Sequence, residues 1–177
     1  MTRFLRRAAM APREVVERAG LRGEKVLASA ETTDGTWLFG TRDALVVVDP
    51  VDTRRIPWEE VEGADWDRDT DTLRVVEVAP YGERKPVHHL GLEEPGLMLP
   101  LVRERVTASV VMSRRVPYRG RTGFTVIARR PPRGTGDLES QLSWGVELDS
   151  ALDPSDADVT AAVDAALDQA RNDLGLE

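Results

Sequence analysis

The sequence predicts an α+β protein built on an antiparallel meander, and three observations predict it. Residues 23–78 hold short apolar or β-branched runs separated by turn residues, with no helical periodicity between them. An apolar stripe at three- and four-residue steps follows over residues 95–112. A second, cleaner helical pattern closes the chain after Asp153-Pro154. The expected architecture is a β-barrel or sandwich of about seven strands closed by a helix, followed by a β-extension and a terminal helix. Residues 1–22 form a helical segment in this division, 23–112 the meander with its helix, and 113–177 the extension with the last helix.

Taken in order, residues 2–21 predict a helix in one or two pieces. Pro12 suits a first helical turn, and Phe4, Leu5, Val15 and Val16 are candidates for docking on the sheet. Val26, Ala28 and Ala30 then alternate on one face, Asp34-Gly35 marks a hairpin turn, and Trp37 and Phe39 alternate against Leu38. The run ALVVV at 44–48 predicts a strand buried on both faces. Pro57 cannot donate to a ladder, so residues 54–58 predict an edge strand. Residues 64–68 and 73–78 predict a hairpin around Asp69-Thr70-Asp71, and residues 86–92 complete the group.

The following helix presents Leu101, Val102, Arg105, Val106, Ser109, Val110 and Met112 on one stripe. Its tail, VTASVVM, is β-branched enough to become strand a turn early. Residues 115–118, 123–130 and 141–148 predict further strands, with Gly120 and the Pro131-Pro132 segment in the connections. For the last helix, Asp153 is the expected cap and Pro154 the first position. Val159, Val163, Ala166, Leu167, Ala170 and Leu174 form its apolar face, and Gly175 stops it.

The chain has 177 residues, enough to bury a core without staples, and its net charge of −7 argues against whole-surface affinity for nucleic acid or anionic lipid. Cysteine is absent, which excludes disulfides, thiolate-bound metals and thiol catalysis, and makes a reducing cytoplasm the simplest setting. Arg6, Arg7 and Arg13 interrupt the amino-terminal apolar residues, unlike a secretory leader. No stretch nears the roughly 18 uninterrupted apolar residues of a spanning helix, so a soluble protein is expected.

No catalytic, metal-binding or cofactor motif emerges. Asp65, Asp67, Asp69 and Asp71 alternate like a calcium loop, but the EF-hand pattern needs Gly and Glu where Thr70 and Val76 stand, so they read as a hairpin turn. His88 and His89 are adjacent on a strand and point to opposite faces, which prevents joint chelation. Trp37, Trp58, Trp66 and Trp144 read as core or rim residues.

The stretches GEKVLASA, WLFGTRDALVVV, RRIPWEEVEGADW and TLRVVEV, followed by a helix, resemble short bacterial pleckstrin-homology-like (PH-like) and GRAM-like domains over residues 23–112. The whole chain also resembles conserved actinobacterial proteins, a likeness that implies no activity. The PH-like resemblance implies a strand meander closed by a helix, used to bind lipids, peptides or proteins. Phosphoinositide-binding members carry Lys or Arg in and beside the first hairpin loop. Glu31-Thr32-Thr33-Asp34-Gly35 carries none, so inositide binding is not expected here.

Residues 105–133 contain eight arginines and no carboxylate, while the rest of the chain is strongly acidic. One reading makes Arg114, Arg115, Arg119, Arg121, Arg129, Arg130 and Arg133 a patch for an anionic partner, with Tyr118 and Phe124 available to stack a base. The other pairs these arginines with the acidic remainder, including Asp156, Asp158, Asp164, Asp168 and Asp173 of the last helix. The functional expectation is a non-enzymatic binding or adaptor module acting through protein contacts, self-association included. Nucleic-acid or other polyanion binding is the alternative, and a hydrolytic or metal-dependent enzyme comes last.

Overall fold

The computed structural model describes residues 11–21, 23–132 and 141–176. The meander folds as two antiparallel sheets. The first contains β1 (Ala28–Glu31), β2 (Trp37–Gly40), β3 (Ala44–Val48) and β4 (Thr53–Pro57), in chain order. A 3₁₀ turn at Trp58–Glu60 leads into the second, β5 (Val61–Asp67), β6 (Thr72–Glu77) and β7 (Val87–Gly91), also in chain order. Helix α1 (Arg13–Arg18) precedes the sheets and α2 (Met98–Ser109) follows them. The sheets do not close into the expected barrel. Among the described residues no ladder joins them, and their backbones meet where Thr33 N–H donates to Gly91 C=O at 3.0 Å.

Alternation decides which side chains enter the core. Leu38, Leu45, Val47 and Ile56 from the first sheet meet Leu73, Val75, Leu90 and Leu92 from the second, and α2 adds Met98, Leu101 and Val102. Trp58 is fully buried beside them, its indole N–H donating to the Thr41 carbonyl at 3.1 Å. Trp37, Phe39, Val46 and Val48 face the other way, where Ala11, Val15, Ala19 and Leu21 cover them. The ALVVV strand is thus buried on both faces, as its composition predicts.

Val26 departs from the expected phase. It packs with Trp37 and Phe39 on the outer face, while Leu27 and Ala28 both serve the inner core. Leu27 N–H bonds the carbonyl of Gly40, although Ala28 is the residue registered against Gly40, so the strand slips by one residue there. At the amino terminus Pro12 caps α1 from outside, Val15 docks and Val16 is 39% exposed; Phe4 and Leu5 lie outside the described residues.

Helix α2 stops at Ser109, and the chain passes directly into β8 (Val110–Arg119), as the β-branched tail allows. The division between residues 112 and 113 therefore falls inside one strand. β9 (Thr122–Arg129) and β10 (Ser143–Leu148) complete a third antiparallel sheet in the order β10-β9-β8. Helix α3 (Ala157–Asp173) lays Val159, Val163 and Ala170 over Phe124 and Val126 of this sheet. Its cap is Asp156, which accepts the Asp158 N–H at 2.8 Å, and not the expected Asp153. Asp153 is engaged one turn earlier, where its carboxylate accepts Ser155 N–H and its carbonyl accepts Asp156 N–H. Gly175, at φ 73°, ends the helix. No described helix is long and apolar enough to cross a membrane.

The β8–β9 hairpin is tight at Gly123, where a Cβ would stand 2.2 Å from the Val116 carbonyl oxygen. Gly123→Ala must therefore force the strands apart and is expected to cost about 1–3 kcal/mol in urea unfolding. An unchanged midpoint would contradict this packing.

Candidate functional site

The third sheet turns three of the candidate arginines toward carboxylates of their own chain. Arg114 pairs with Asp173 and Arg119 with Asp158, both acids belonging to α3. Arg115 makes two bonds to Asp149, at 2.9 and 2.6 Å, and that carboxylate also accepts Gly123 N–H at 2.9 Å. The Asp149 carboxyl is held below its usual range by these donors, the Arg115 bond foremost. A register shift between Pro117 and Arg119 accompanies the turn of Arg119 toward α3, where its guanidinium also lies 4.8 Å from the Tyr118 ring centre.

Arg129 is inside the protein, 4% exposed. Its guanidinium donates to the carbonyl of Glu62 at 2.5 Å, to Ser109 Oγ at 3.3 Å and to the Val106 carbonyl at 3.4 Å. Burial lowers its pKa from the usual value, with Glu147 and Glu62 opposing. It ties β9 to β5 and to the end of α2 and presents nothing to an external anion. Phe124, a proposed base-stacking residue, is fully buried, and Tyr118 packs against the same cluster under α3.

Arg121 and Arg130 remain exposed, and neither has a carboxylate partner among the described residues. They flank the two ends of the eight-residue β9, which separates them by about 30 Å along the strand. They therefore do not converge on one phosphate. Arg133 lies outside the described residues.

Sequence reasoning missed a polar cluster at the open end of the core. Glu77 accepts two bonds from Arg54 of β4, at 2.7 and 2.8 Å, and His88 Nε2 of β7 lies 2.5 Å from Glu77 Oε1. A signal was present in the sequence, since Glu77 continues the inward phase of Leu73 and Val75 and so had to bury its carboxylate. His88 is registered opposite Val75, which makes Glu77 its diagonal neighbour. Burial pushes the Glu77 carboxyl up, but the bonds from Arg54 and His88 outweigh this and hold it below its usual value. The cluster links the two sheets.

Two other acidic places have structural accounts. Asp67 accepts the N–H groups of Asp69 and Thr70, at 2.8 and 3.3 Å, and Asp71 takes a positive φ of 48°, so the alternating aspartates build a turn. Among the described residues no group of three His, Asp or Glu is placed to hold a metal ion. Glu59 and Asp43 line a small cavity of about 290 Å³ with Arg55, Pro57 and Pro131. Burial raises the Glu59 carboxyl, aided by Glu60 and Asp43. None of the described lining residues is a serine, threonine or histidine.

A concavity of about 600 Å³ runs between β1 and the loop leading into α2. Among the described residues β1 pairs with β2 alone, and its other edge lines this groove. Thr32 N–H bonds the Thr36 carbonyl, and alternation along an antiparallel ladder then points the backbone groups of Ser29 and Glu31 away from β2. Across the groove stand Glu93, Glu94 and Leu97, the last 69% exposed.

Two measurements check these assignments. Arg129→Met strands buried carbonyls and is expected to cost about 1–3 kcal/mol, whereas Arg119→Ala, on a surface pair, should cost about 0–1 kcal/mol; equal losses would refute the buried role. A lowered folded pKa means that Glu77 contributes stability above its unfolded value of about 4.3, lost as pH falls through the lower folded value. Glu77→Gln should therefore be less stable than the parent at about pH 6, and the gap should shrink at about pH 3. A gap unchanged with pH would refute the charge-based account. No family model matches the chain, and no curated protein or solved structure does either.

Proposed function

We propose that the chain is a soluble, cytoplasmic, non-enzymatic PH-like binding or adaptor module that acts through protein contacts. The order of elements supports the PH-like reading: four strands, three strands and then a helix packed on their common core. The observation that carries the binding role is the unpaired edge of β1 beside a groove with an exposed leucine, since an uncovered edge is a template for another chain. The alternative, polyanion binding through the arginine-rich segment, has less support, because Arg114, Arg115 and Arg119 are paired and Arg129 is buried. The acidic hairpin loop at residues 31–35 favours a protein over an inositide.

Photo-crosslinking from the full chain in native lysate, with the probe placed at Leu97, should yield discrete protein adducts at stoichiometric levels. Absence of any adduct, together with strictly monomeric sedimentation, would overturn the module reading. Polyanion binding through Arg121, Arg130 and Arg133 predicts instead that RNA, DNA or anionic vesicles bind at low salt and release steeply as salt rises.

A further inference from the structure

We propose that the groove between β1 and the loop before α2 takes an extended basic segment of a partner protein, which adds as a fifth strand to the first sheet. This rests on the module reading above and names the partner's chemistry. Three observations converge on it.

The first is hydrogen-bonding capacity. Ser29 and Glu31 turn their N–H and C=O groups outward, away from β2. The next outward donor, Thr33 N–H, is already taken by Gly91, which confirms the direction of this edge and bounds its open stretch. An incoming strand can exchange both backbone bonds with each of Ser29 and Glu31, and about five residues, spanning roughly 17 Å, cover that length.

The second is shape. The groove has one wall of strand and one of loop, with Leu97 exposed on the far side and Val26 at the near end. Alternate side chains of an added strand project to opposite faces, so one set can contact Leu97 while the other meets solvent.

The third is charge. Glu31 and Glu93 line the groove, and among the described residues no lysine or arginine lines it. A basic strand is complementary, and an acidic one is repelled. The same charge disfavours a second copy of this chain, because pairing two β1 edges brings two acidic rims together.

The test uses the full chain and a labelled peptide of roughly nine residues alternating arginine with valine, with a glutamate-valine peptide as control. The basic peptide should bind by fluorescence anisotropy, and hydrogen exchange at the Ser29 and Glu31 amides should slow in the complex. Ser29→Pro removes one outward donor without touching a β1–β2 bond and should weaken binding about tenfold. If that variant folds poorly, Glu31→Lys with Glu93→Lys, both at exposed positions, should give a loss of at least similar size. Equal binding of the acidic peptide, unaltered exchange at both amides, or indifference to the charge reversals would overturn the proposal.

Two other occupants have their own signatures, and either result overturns the partner assignment. Concentration-dependent dimers abolished by Ser29→Pro would place a second copy on the edge. A rise of about tenfold in peptide affinity on replacing Arg3, Arg6 and Arg7 with Glu would place the chain's own amino terminus there. If the basic peptide fails to bind the parent chain while crosslinked partners are still captured, only the groove assignment falls. If both fail, the module reading falls with it.

Discussion

Helix α2 lies against β2 at Gly40, where a Cβ would stand 2.4 Å from Leu101 Cδ2, and much of the remaining structure follows from that close approach. Met98, Leu101 and Val102 are buried among residues of both sheets, so the helix covers a core that the strands leave open. Its last turn delivers the chain directly into β8, which fixes the place of the third sheet. Arg129 then reaches back from β9 to Val106, Ser109 and Glu62, joining the extension to α2 and β5. At the other end, the loop before α2 brings Leu97 and its neighbouring acids alongside β1. One helix placement therefore sets both the anchorage of the extension and a wall of the groove.

Local chemistry made much of the strand framework legible. Trp37 and Phe39 against Leu38, the ALVVV run and the Asp34-Gly35 turn specify faces and hairpins without knowledge of anything distant. Errors arose where two local signals competed. Asp153 and Asp156 both suit a cap, and Pro154 drew the expected helix start to the first of them; the Asp153 turn left Asp156 to open the helix. At residues 26–28 a one-residue slip moved Val26 to the other face, a change that a simple period-two reading does not encode. The Arg54–Glu77–His88 cluster depends on three strands from two sheets, so spacing along the chain could not assemble it.

The arginine segment was the most prominent compositional feature, and folding changes its meaning. Apolar contacts of Phe124 and Val126 with Val159 and Val163 hold α3 on the third sheet. The pairs from Arg114 and Arg119 to Asp173 and Asp158 lie at the solvent-facing margin of that contact. Surface pairs of this kind contribute little to stability, so their plainer consequence is to orient the helix and neutralise Arg114 and Arg119 at the surface. What a partner meets is then dominated by the surplus acid of a chain with net charge −7.

The open edge of β1 differs in kind from the other edges. β4 carries Arg54, Arg55 and Pro57, and β8 carries Arg114, Arg115, Pro117 and Arg119, residues that discourage another strand from pairing. β5 lies beside α2 and gives the Glu62 carbonyl to Arg129. β7 follows Pro86 and gives Gly91 C=O to Thr33, while the Val146 carbonyl of β10 accepts from Lys85. β1 reads Ala-Ser-Ala-Glu, with no proline and no basic residue. Its Glu31 repels acidic strands and attracts basic ones, so the device that protects this edge from indiscriminate pairing also selects what can be added to it.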